Sequence, residues 1–126
     1  MKIDIQPLFR MKELLKKSLA KLEAKELDEL GQMGAIQAFE VSCELVWKTC
    51  QKFLAQEGTI TRSPRETFRL AAQFGYLENP EVWFKFLEER NLAAHTYQEE
   101  ILQELLNLLP KFIKELDQVL SNLTKK

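Results

Sequence analysis

The chain has 126 residues, 45% hydrophobic and 29% charged, with a formal net charge of −1. That balance describes a globular protein and excludes a disordered or membrane-spanning one, and with no overall positive field any polyanion contact must come from a local patch. No apolar run approaches the roughly 18 residues of a membrane span, and Met1-Lys2-Ile3-Asp4 carries no apolar signal region. Cys43 and Cys50 lie seven apart in one helical pattern, two turns or about 10 Å along the axis, too far for a disulfide. Small buried thiols in a reducing cytoplasm are expected.

In chain order, Asp4 is a plausible N-cap and Pro7 falls near a helix start, with a helix running to about Ala24. Leu8, Met11, Leu15, Leu19 and Leu22 repeat at three and four, while Lys12, Lys16, Lys17, Lys21 and Lys25 occupy the other side, a basic strip that could meet phosphate but reads more simply as a solvated lysine face. A second helix runs from about Asp28 or Leu30 to Gln56, closed by Gly58. Its stripe is Met33, Ile36, Phe39, Cys43, Val46, Trp47, Cys50, Phe53 and Leu54. Beside it run Glu40, Glu44 and Lys48 at spacings of four. Glu44 and Lys48 suit an ion pair; Glu40 above Glu44 is repulsive without a nearby cation, and Arg90 is a candidate for it.

After a loop over 58–62, Ser63-Pro64-Arg65-Glu66 combines an N-cap serine, a first-turn proline and the glutamate of a capping box. That helix ends at Gly75. Asn79-Pro80 opens the next, with Val82, Trp83, Phe86 and Leu87 on its buried face and Arg90 and Asn91 near its end. Thr96-Tyr97-Gln98-Glu99 is another capping-box pattern, which predicts a break at His95–Thr96 and a last helix from Tyr97 to Leu123. In that helix Ile101, Leu105, Leu108, Phe112, Leu116, Val119 and Leu123 form one apolar row. Leu102, Leu106, Leu109, Ile113 and Leu120 form a second, and Pro110 should kink it. So wide a stripe suggests that one side meets another subunit. With no strand pattern or repeat, residues 1–126 read as one all-α domain, an antiparallel bundle of four or five helices.

The only histidine, His95, lies five residues after Arg90, four after Asn91 and two before Tyr97. On a regular helix Asn91 and His95 share a face with Arg90 beside them. One histidine, no Cys-x-x-Cys pair and no His-Glu-x-x-His motif give no metal site, and no cofactor is indicated. An arginine, a histidine and an amide suit metal-free RNA cleavage. The imidazole moves a proton near neutral pH, and the guanidinium grips phosphate bidentately. A two-fold dimer would supply the second proton-transfer group. The plainer reading is a capping histidine and an arginine that only neutralises Glu40 or Glu44.

Arg90-Asn91-Leu92-Ala93-Ala94-His95-Thr96-Tyr97 resembles the Arg-Asn-x-x-x-His motif of HEPN domains, including the tyrosine of one branch. Together with Gln37-Ala38-Phe39-Glu40-Val41-Ser42-Cys43-Glu44-Leu45-Val46-Trp47-Lys48 and Ser63-Pro64-Arg65-Glu66, it looks like the nucleotidyltransferase substrate-binding protein family over nearly the whole chain. Glu89 stands where an aspartate is common, and Val41-Ser42-Cys43 replaces a more aromatic run. The resemblance implies a helical homodimer in the cytoplasm that binds a nucleotide or acceptor for a separate minimal nucleotidyltransferase. Related HEPN proteins are metal-independent endoribonuclease toxins, which the partner restrains as antitoxin by adenylylating the tyrosine. By motif position Arg90 and His95 would be catalytic, Asn91 supportive and Tyr97 the modified residue. Glu40, Glu44 and Lys48 are expected to line or brace the same cleft.

Overall fold

The computed structural model describes residues 2–125, and among them the structure is all-helical. Five α-helices, α1 (Gln6–Glu23), α2 (Glu29–Gln56), α3 (Pro64–Gln73), α4 (Pro80–Arg90) and α5 (Glu99–Thr124), form a bundle. A short 3₁₀ helix over Asn91–His95 joins α4 to α5. The long α2 packs against α1, α3, α4 and α5, so the bundle is assembled around it.

The helix ends follow local chemistry. Asp28 Oδ1 accepts the Gly31 N–H at 2.8 Å, and Asn79 Oδ1 accepts the Glu81 N–H at 3.0 Å. Ser63 Oγ accepts the Glu66 N–H at 3.3 Å, but the Glu66 carboxylate reaches one residue further back than a standard capping box and accepts the Arg62 N–H at 2.7 Å. At the first helix Ile5, and not Asp4, is the N-cap residue; the Asp4 carboxylate still accepts the Gln6 N–H at 3.0 Å. Three helices end in the same reversal. Glu26, Thr59 and Tyr76 donate backward to the carbonyls of Lys21, Leu54 and Ala71 at 2.8–2.9 Å, with Lys25, Gly58 and Gly75 at positive φ between them. Glycine meets that need without strain at 58 and 75, whereas Lys25 at φ 60° carries a cost of about 1–2 kcal/mol.

Phe39 of α2, Phe68 of α3, Trp83 and Phe86 of α4, and Phe112 of α5 are fully buried and meet at the centre. Phe112 lies 4.8 Å from Phe39 and 5.0 Å from Phe86, both edge to face. This cluster fixes α4 over α2 and thereby aims the end of α4, where Arg90 sits, across the middle of α2.

Most of the two apolar rows of α5 is buried inside one chain, and Ile101, Leu108 and Ile113 pack half-buried against the same core. Leu102, Leu105, Leu106, Leu109, Phe112, Leu116, Val119, Leu120 and Leu123 are all buried, because α5 is gripped by α1, α2 and the 3₁₀ segment. The width of the stripe therefore gives no argument for a second subunit. α5 continues through the exposed Pro110 as one element. Lys12 does not belong to a solvated lysine face either. Its ammonium pairs with Asp117 of α5 at 2.9 Å and its side chain is only 14% exposed. Among the described residues no helix is long and apolar enough to cross a membrane.

Candidate functional site

Two rows of side chains on α2, each at spacings of four, floor a groove. Glu40, Glu44 and Lys48 form one row, and Gln37, Val41 and Leu45 the other. Arg90, Asn91 and Ala94 wall it, and the space enclosed is about 570 Å³. The second row has the same spacing as the first and is legible on that ground, but without charges it carries no chemical signal.

Arg90 forms an ion pair with Glu44 Oε1 across the groove. This meets the expectation that Arg90 supplies a cation to the α2 carboxylates. The other Glu44 oxygen accepts from the Trp47 indole N–H at 3.2 Å and lies 3.8 Å from the Lys48 ammonium. Glu44 thus has three partners, and turning Arg90 toward a ligand would leave the carboxylate still satisfied. Arg90 is mostly covered, at 22% exposure, and Glu44 is 39% exposed. A phosphate entering the groove could take the place of the carboxylate on the guanidinium fork. Glu40 lines the same groove one turn away.

The histidine stands apart from this arrangement. Asn91–His95 winds as a 3₁₀ helix, with about three residues per turn, so a residue four positions on is rotated by about 120°. Asn91 and Ala94, three apart, both face the groove; His95 does not line it. The regular-helix expectation that Asn91 and His95 share a face is therefore corrected. Leu92 and Ala93 pack on the core, and the segment contacts both α4 and α5, which holds the tighter winding. The Thr96–Glu99 capping box does not form. α5 starts at Glu99 with Gln98 as N-cap and no side-chain cap, so Tyr97 lies in the turn before the helix.

His95 Nδ1 and the Tyr97 hydroxyl are 3.3 Å apart, with the rings edge to face at 5.9 Å. Both side chains are exposed, Tyr97 at 74%. The chain thus presents two adjoining assemblies, an Arg90–Glu44–Lys48 groove with Asn91 on its wall and an exposed His95–Tyr97 pair. Cys43 is no nucleophile for the histidine. Burial pushes its thiol far above the ordinary range, and the nearby Arg90 offsets only part of that. Glu89, next to Arg90, is buried; burial and a hydrogen bond with Glu104 raise its carboxyl above the usual range, against the pull of Lys85 at 3.3 Å.

Comparison with known proteins agrees with this architecture. A Haemophilus influenzae protein named as a probable ribonuclease HepT is 28% identical over 98 residues, 74% of this chain and 67% of its own length. A Thermus thermophilus protein of known crystal structure is 32% identical, with a TM-score of 0.70, covering 85% of this chain and 96% of that one. A Haemophilus influenzae structure, described as revealing the fold of a substrate binding domain of a nucleotidyltransferase, superposes with a TM-score of 0.89. It is 22% identical and covers 96% of this chain and 99% of its own, a likeness of fold. The family model described as nucleotidyltransferase substrate binding protein like matches residues 4–125. The chain therefore belongs to the nucleotidyltransferase substrate-binding-protein-like family.

Proposed function

We propose that this chain is the nucleotide- or acceptor-binding subunit of a two-protein system, working beside a separate minimal nucleotidyltransferase. The observation that carries the reading is Arg90, held at the groove wall by Glu44 with Asn91 and Lys48 alongside. A guanidinium parked on a carboxylate has its fork already aligned for the phosphate of a nucleotide. Asn91 offers an amide to a ribose or base, and Glu40 and Glu44 brace the cations. The family to which the chain belongs supports the pairing with a nucleotidyltransferase. The working form is a homodimer in the cytoplasm, a setting that suits the two free thiols.

The exposed His95–Tyr97 pair favours a second reading, a metal-independent endoribonuclease toxin neutralised by the nucleotidyltransferase. Arg90 would stabilise charge on the scissile phosphate, and His95, together with the copy from the second protomer, would move the protons. Tyr97, at 74% exposure, is open to adenylylation, and an AMP there would set bulk and negative charge beside the histidine.

Titration of the protein with AMP and ATP, beside RNA cleavage in excess EDTA, separates the two. Nucleotide binding that is lost in Arg90→Ala, with RNA left intact, supports the binding subunit. Cleavage that is lost in both Arg90→Ala and His95→Ala supports the nuclease. Neither binding nor cleavage by protein with unmodified Tyr97 would refute both readings.

A further inference from the structure

A second cavity of about 300 Å³ lies on the other side of the groove wall, lined by Ser63, Arg65, Leu87, Glu88, Arg90 and Asn91. It shares Arg90 and Asn91 with the first groove, so these two residues are a ridge between two adjoining hollows. The far hollow has its own arginine. Arg65 Nη2 lies 3.5 Å from Glu88 Oε1, and both side chains are more than half exposed. The Arg65 guanidinium also sits 5.0 Å over the Phe84 ring.

That geometry repeats the logic of Arg90 and Glu44. An exposed ion pair is held weakly and exchanges readily for another anion. The cation–π contact with Phe84 steadies the guanidinium, and its N–H edge, now turned to Glu88, can pass to a phosphate as a bidentate contact. Glu88, 60% exposed, can swing into water when an anion takes its place. One arginine on each side of Asn91 is more than a single phosphate needs.

We propose that Arg65 forms a second phosphate-binding subsite and that the ligand of this site is an oligonucleotide strand crossing the Arg90–Asn91 ridge, with one phosphate on Arg90 and the next on Arg65. The inference rests on the reading of the first groove as a phosphate-ligand site and specifies the class of ligand it takes. A mononucleotide occupies only the Arg90 side; a trinucleotide spans both.

The test compares AMP with the single-stranded trinucleotide pApApA in calorimetric titrations of the whole protein. The wild type should bind the trinucleotide about tenfold or more tightly than AMP, one charge-assisted contact being the difference. Arg65→Gln should lower trinucleotide affinity by about tenfold and leave AMP unchanged. Its slope of log K against log salt should shrink by about 0.7, the signature of one lost phosphate contact on a single strand. Glu88→Gln, which removes the competing carboxylate and keeps Arg65, should tighten the trinucleotide alone. Arg65→Gln lowering both ligands equally, or neither, overturns the second subsite while the first groove stands. Wild-type protein that binds neither ligand overturns both. Thermal melts by circular dichroism establish that each variant is folded.

Discussion

Replacing Glu44 with glutamine should strengthen the binding of a phosphate ligand. Glu44 holds Arg90 by an ion pair, so an incoming phosphate must compete with a carboxylate already in place. Exposed pairs of this kind are worth about 0.2–1 kcal/mol. Arg90 is well covered, which argues for the upper end, while the 39% exposure of Glu44 keeps the value from rising above it. Removing a competitor worth about 1 kcal/mol should raise affinity about fivefold. Glutamine preserves the acceptor for the Trp47 indole, so the groove floor keeps its shape. The loss of the pair should cost at most about 1 kcal/mol of stability, a fall in Tm of about 3–5 °C. Calorimetric titration with AMP at low salt reads the first quantity, and a thermal melt the second. Affinity that is unchanged or weaker in Glu44→Gln would refute the reasoning, because it would mean that the carboxylate contacts the ligand favourably.

Phe112→Ala should destabilise the fold by about 4 kcal/mol, since it empties the centre of the aromatic cluster and removes edge-to-face contacts with Phe39 and Phe86; a loss below about 1 kcal/mol in urea denaturation would show that the cluster does not hold α4 over α2. Cys43 and Cys50 should resist a thiol reagent in the native protein and react on unfolding. Burial pushes Cys50 up to about 12, so the unfolded chain releases thiol protons that the folded chain keeps. Stability should therefore fall as pH rises above about 8.5, and urea midpoints that stay flat between neutral and alkaline pH would contradict this. The Glu89 carboxyl is raised in the fold, so its contribution is present below the ordinary glutamate range and is lost as pH rises through the folded value. Glu89→Gln should be more stable than wild type near neutral pH, with the advantage shrinking in acid; a variant less stable at neutral pH would show that the Lys85 contact outweighs burial.

The features legible in the sequence are those decided within a few residues. Asp28, Ser63 and Asn79 cap the helices that follow them, and Gly58 and Gly75 close the helices before them, because caps depend on side chains one to three positions away. The pairing of Arg90 with α2 is also within reach, since stacked carboxylates on one face call for a cation. Long-range packing hides the rest. Lys12 reads as a solvent residue until Asp117 is brought against it from the far end of the chain. Arg65 carries no spacing relation to Asn91, and only the docking of α3 against α4 sets them around one cavity. The break near His95 is legible, but the Thr96 pattern predicts a cap that does not form. Contacts of Leu92 and Ala93 with the core shape the turn instead.

The winding of Asn91–His95 makes this part of the chain a three-sided prism, with 91 and 94 on one edge, 92 and 95 on the next, and 93 alone on the third. The number of residues between the amide and the histidine then acts as a phase setting, and a change of one is not a small change. Deleting one would bring the imidazole onto the same edge as Asn91, over the groove. Inserting one would carry it a further third of a turn around the prism. The three-residue spacer of the motif is thus what keeps its imidazole and its amide pointing at different neighbours.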